Sequence, residues 1–288
     1  MKQLFFVSSL RLAMILMSLL ASASTLAEDT QIIGVGGHIL TLKDKTWSRP
    51  VPESAIASFT ANGKTFPLYV SDVGTETHNG WLSPDKKTLL INQTLYGVVI
   101  GQEGEEIPTE ETSCDLISME TGCVLHQHVA RFCYGEWEGN RWTSGEGEVL
   151  DLVMKTPSPK DLLKQVSSIE TVESRGEALE LSLGTISLDA YMACHPPARN
   201  VQGFNDLGFY LAEGGNDELA LAFYRGVEAL GKRTVLMLNI ADSLWRLGRE
   251  DEAQRYYSQY RDAMSADGKA QKIPQRVVER SVIQGMKN

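Results

Sequence analysis

The chain has 288 residues, 42% of them hydrophobic and 22% charged, with a formal net charge of −10 and four cysteines. That length allows two domains of roughly 100–200 residues each. The excess of 37 acidic over 27 basic residues argues against a nucleic-acid binder, which gains affinity by replacing counterions with its own cations.

The first 27 residues read as a secretory signal. Lys2 and Arg11 supply positive charge, Leu12 to Leu20 forms a short apolar core, and Ala21-Ser22-Ala23 and Thr25-Leu26-Ala27 are candidate cleavage sites. The apolar run is well short of the roughly 20 residues that cross a bilayer as a helix. Cleavage near Glu28 would leave a chain of formal charge −12 without stable membrane insertion. The expected location is the periplasm, and the acidic surface suits a protein partner, a basic one above others. In an oxidising compartment Cys114, Cys123, Cys133 and Cys194 are expected to form two disulfides, with three connectivities open. A bridge from Cys194 would close a loop of roughly 60 residues or more, worth about 4 kcal/mol in the chain-entropy account.

Residues 28–197 read as a β-rich domain. Ile32-Ile33-Gly34-Val35 opens it, Gly36-Gly37 breaks the strand, and Phe66 to Val70 alternates until Ser71-Asp72. Ser83-Pro84-Asp85 starts a turn that feeds the apolar run Leu89-Leu90-Ile91. The clearest hairpin is Asp115 to His126 about Glu120-Thr121-Gly122, with Gly122 supplying positive φ. This register places Met119 opposite Cys123 and Cys114 opposite His128, which disfavours a Cys114–Cys123 bridge. Ser158-Pro159-Lys160-Asp161 starts a helix with Leu162, Leu163 and Val166 at helical spacing. Ala178 to Leu183 alternates, turns at Gly184-Thr185 and returns through Ile186 to Asp189 as a second hairpin. His195-Pro196-Pro197 marks a boundary, because paired prolines continue neither ladder nor helix.

Residues 198–288 change to helical periodicity, and the segment matches itself at an offset of 33. Leu207 aligns with Ile240, Gly208 with Ala241, Leu211 with Leu244, Gly215 with Gly248, Ala220 with Ala253 and Tyr224 with Tyr257. The order Leu-Gly, bulky residue, Gly, Ala, aromatic resembles the tetratricopeptide repeat family over about residues 201–264. The second unit carries Ala241 for the usual glycine, and neither unit has the family's closing proline. The resemblance implies stacked antiparallel helix pairs, with Pro274 to Ile283 as a cap and inner helices lining a groove. On that basis Gln202, Asn205, Phe209, Asn239, Asp242, Trp245 and Arg246 are the candidate partner-binding residues.

Chemical constellations are sparse. His126 and His128 share one face of a strand but lack a third ligand at zinc spacing. Gly34-Val35-Gly36-Gly37 lacks the helix and lysine of a phosphate loop. Cys194 and His195 are adjacent, an arrangement in which extended side chains diverge. Glu136, Glu138, Glu146 and Glu148 around Trp137 and Trp142 read as solvated turn carboxylates.

The expected architecture is therefore an α+β multidomain chain, with a disulfide-containing β-rich domain followed by a tetratricopeptide-like helical pair and its capping helix. The expected function is a non-enzymatic protein-interaction module without cofactor or metal. The rival readings are an inhibitor or immunity-type protein neutralising a secreted toxin or enzyme, and an envelope hydrolase whose site lies about Trp137, Trp142, His126 and His128.

Overall fold

A computed structural model describes residues 29–45, 54–70, 74–76 and 81–281. The signal segment and Val282 of the expected cap lie outside these residues. Within them, antiparallel sheets come first and helices follow.

Strands β1 (Thr30–Ile33), β2 (Ile39–Lys45), β3 (Ser54–Ala61) and β4 (Lys64–Pro67) form one antiparallel sheet in chain order. Alternation decides which face is inward: Leu40 and Leu42 on β2, and Ala57 and Phe59 on β3, are buried. Asn62 and Gly63 both take positive φ in the two-residue turn to β4. A second antiparallel sheet holds β5 (Gly74–Glu76), β6 (Thr88–Ile100), β7 (Glu106–Ser118) and β8 (Val124–Val129), again in order. Leu89, Leu90, Ile91, Leu116 and Ile117 of this sheet share one apolar core with Leu40, Phe59 and Leu68. The Ser83 turn forms as expected, with Lys86 N–H donating to Ser83 O before β6 begins. A small hairpin of β9 (Gly135–Glu138) and β10 (Arg141–Ser144) completes the body and buries Trp142.

The β7–β8 turn has Gly122 at φ 77°, and Gly122 N–H donates to Ser118 O. Cys114 pairs with His128 as the sequence register requires, but the register slips between Leu116 and Ile117. Leu125 is the extra residue of this bulge. Its carbonyl accepts from Lys155 and Thr156 N–H, and Ser118 rather than Met119 comes opposite Cys123. The disulfides are Cys114–Cys133 and Cys123–Cys194, spanning 19 and 71 residues.

Helices begin at Pro159, earlier than the proline pair. Ser158 caps α1 (Pro159–Val166) in a reciprocal capping box with Asp161, and Leu162 and Val166 are buried. The hairpin expected over 178–189 is instead α2 (Val172–Leu183) followed by α3 (Leu188–Cys194). Thr171 caps α2 at the Ser174 N–H, and Gly184 ends it at φ 60°. Three leucines at alternate positions imitate a strand. Leu179 is fully buried while Leu181 is 82% exposed, so the helix buries one of them and leaves another in solvent. Pro196 and Pro197 therefore separate α3 from α4 within the helical region.

Four helices follow as two antiparallel pairs: α4 (Val201–Glu213) with α5 (Asp217–Glu228), and α6 (Thr234–Arg246) with α7 (Glu250–Ala266). The starts of α4 and α6, and those of α5 and α7, lie 33 residues apart. Leu207 and Ile240, Leu211 and Leu244, and Ala220 and Ala253 are all fully buried. Gly215 and Gly248 both have positive φ in the turns. A last helix, α8 (Gln275–Arg280), packs on α7 with Val277 buried and Val278 exposed. The helical core is separate from the β core, and half-buried Ile186 touches both.

Candidate partner-binding face

Helix α4 lies between α2 and α5, and the close approach is made by glycine. A Cβ on Gly208 would stand 2.4 Å from Tyr224 Cε1, and one on Gly176 would stand 2.2 Å from Tyr210 O. This packing fixes which α4 side chains face outward. Gln202 is exposed and donates to Asp206 Oδ1 at 2.7 Å. Half-buried Asn205 donates to the same oxygen, and its own Oδ1 accepts from Asn239 Nδ2 at 3.0 Å. These four polar residues form one ladder across α4 and α6.

Phe209 is 41% exposed beside the Asp206 end of that ladder, with its ring edge-to-face on Tyr210. It opens onto a cleft of about 350 Å³ lined by Leu163, Val166, Ser167, Arg175, Asp206 and Tyr210. The Arg175 guanidinium lies 5.6 Å from the Tyr210 ring centre. Its hydrogen bonds run to neutral oxygens: Ile169 O, Ser167 O and Tyr210 Oη. The cleft thus offers an apolar wall with the Arg175 cation and the Asp206 carboxylate beside it.

The remaining candidates make internal contacts. Arg246 forms a two-pronged bond to buried Asp217, Nε to Oδ2 at 2.8 Å and Nη2 to Oδ1 at 2.7 Å, which raises its pKa. Asp242 accepts from Tyr257 Oη at 2.7 Å and from Arg276 of α8 at 2.8 and 3.0 Å. Burial, then Asp242, pushes the Tyr257 phenol up to about 12. Trp245 is half-buried and carries the Arg280 guanidinium 4.4 Å from its ring centre. Asp242 and Trp245 therefore lie at the α6–α8 seam, and Arg246 ties α6 to the start of α5.

In the β body, His126 Nδ1 and His128 Nε2 are hydrogen-bonded to each other at 2.7 Å, so alternation does bring the two rings together. Burial lowers both pKa values, His128 to about 4. Among the described residues no group of three His, Cys, Asp or Glu side chains is placed to hold a metal. Trp142 donates to Phe132 O from the core, and Trp137 packs edge-to-face on it, while Glu136, Glu146 and Glu148 are exposed. His126 also borders a second cleft, of about 290 Å³, at the junction with the helices. Sequence reading missed both clefts, because each is assembled from segments that only tertiary packing brings together.

Among the described residues no helix is long and apolar enough to cross a membrane. The two disulfides are compatible with an oxidising location outside the cytoplasm. No family model, curated protein or solved structure matches the chain.

Proposed function

We propose that the chain is an exported, non-enzymatic protein-binding module of the periplasm, whose tetratricopeptide-type helical layer docks a segment of a partner protein. Phe209 carries this reading: a large apolar ring is left in solvent at the mouth of a concave, partly apolar cleft. Beside it Arg175, bonded to neutral oxygens, supplies a charge for a partner carboxylate. Aromatic and arginine side chains in such settings dominate binding energetics. The acidic charge and the disulfides accommodate an inhibitor or immunity-type role for this same module.

The test is an affinity capture from envelope extract, with wild type compared against Phe209→Ala and Arg175→Ala, quantified by mass spectrometry. One partner enriched by wild type is expected to fall about 30-fold with Phe209→Ala, the equivalent of a ~2 kcal/mol anchor. Circular dichroism checks that the variants remain folded. Equal retention by all three baits would remove the cleft from the argument. Trp245 and Arg246 are poorer probes, because truncating either also breaks an internal contact.

A further inference from the structure

Strands β6 and β7 are longer than the body they belong to. Each has 13 residues, paired from Thr88↔Ser118 to Ile100↔Glu106. Among the described residues β5 pairs with Asn92 to Thr94, and β8 with Ser113 to Ile117. From Leu95↔Glu111 outward the two strands pair, among the described residues, with each other alone, a ribbon of about 20 Å at roughly 3.3 Å per residue. Gly104, at φ 83°, closes its tip.

This ribbon does not have the surface of a solvated hairpin. Val98, Val99, Ile100 and Ile107 are 56%, 50%, 67% and 43% exposed. Alternation sets Val99 and its partner Ile107 on one face, and Val98, Ile100 and Pro108 on the other. Branched aliphatic residues on both faces suit a strand buried on both sides. A two-stranded ribbon alone in water is marginal. Among the described residues nothing pairs with the outer edge of β7 over 106–111, where Glu106 and Glu110 offer N–H and C=O and Pro108 a carbonyl alone, which is how an added strand is bound.

Charge selects the occupant. No lysine or arginine occurs from Thr88 to Ala130, while Glu103, Glu105, Glu106, Glu110 and Glu111 all lie on the ribbon. A second copy would set five glutamates against five, and an anionic lipid surface would be repelled likewise. We propose that the β6–β7 ribbon is a docking arm for a basic protein segment, which adds to the β7 edge as a strand of alternating cationic and aliphatic residues. The arm is distinct from the Phe209 cleft and does not depend on it.

The probe is a labelled peptide of roughly 12 residues alternating Lys and Val, titrated with the full chain by fluorescence anisotropy. Binding is expected to weaken about tenfold or more in Glu106→Lys/Glu110→Lys/Glu111→Lys and in Val98→Thr/Val99→Thr/Ile100→Thr. A surface control of equal charge change, Glu173→Lys/Glu177→Lys/Glu180→Lys on α2, and the Phe209→Ala variant are expected to bind as wild type. Affinity falls between ~50 and ~300 mM salt, and the outward amides of Glu106 and Glu110 gain protection from hydrogen exchange on binding. An equal loss in the α2 control, or equal binding of a Lys/Ser peptide, would overturn the proposal. So would protection elsewhere, a sedimenting dimer abolished by the threonine substitutions, or arm-dependent binding to phosphatidylglycerol vesicles.

Discussion

Asp115 sits fully buried on β7, where Oδ2 accepts from Tyr69 Oη and Gln93 Nε2, both at 2.7 Å, and more distantly from Gln127. Oδ1 is buried without a hydrogen-bond partner among the described residues. Burial pushes the carboxyl up to about 7, against the opposing hydrogen bonds from Tyr69 and Gln127. Since the unfolded value is about 3.9, the native chain holds a proton between these pH values that the unfolded chain has released. The stabilisation is full below about pH 4 and lost as pH rises through 7. Asp115→Asn is therefore expected to narrow the fall in Tm between pH 5 and pH 8, read by thermal melts of both proteins. His128 acts in the opposite sense: its contribution is present above about pH 6.5 and lost as pH falls towards 4. The pairing of His126 with His128 was legible, because period two fixes their common face. The burial of Asp115 was not, since its main partner, Tyr69, lies 46 residues away.

At the scale of elements, α4 to α7 were legible because each helix packs on its neighbour in the chain, α4 on α5 and α6 on α7. Gly208 meets the Tyr224 ring within one helix pair, a contact between residues only 16 apart in the chain. Gly208→Ala is expected to cost about 1–3 kcal/mol in urea unfolding, because the new methyl would overlap the Tyr224 ring. A cost near zero would mean that the ring has room to retreat. In contrast, α2 was misread, since the alternating leucines of 179–183 also occur at a spacing a helix can use. Its docking on α4, with Gly176 against Gly214, decides the outcome. The bulge at Leu125 was likewise invisible: it is paired from outside the hairpin, by Lys155 and Thr156.

For the whole molecule, the seam between β body and helices is held by few but varied ties. Ser187 N–H donates to Leu68 O, Val70 N–H to Thr185 O, and Tyr191 Oη to Pro157 O; His195 Nε2 meets Thr156 O; and Cys123–Cys194 closes the same region covalently. Cys123→Ser/Cys194→Ser is expected to lower the unfolding free energy by about 4 kcal/mol, against about 3 kcal/mol for Cys114→Ser/Cys133→Ser. Exchange at the Ser187 and Val70 amides should quicken only in the former, because only that bridge spans the seam. The count of two bridges and the long reach of Cys194 were legible; the pairing depended on a fold in which α3 returns to the start of β8. The two bridges also interlace along the chain, with Cys123 inside the loop closed by Cys114 and Cys133, and Cys194 outside it. Thiols that oxidise in order of synthesis would join Cys114 to Cys123 first. Such a chain reaches its native connectivity only by thiol–disulfide exchange, so its maturation is tied to whatever shuffles bonds in its compartment.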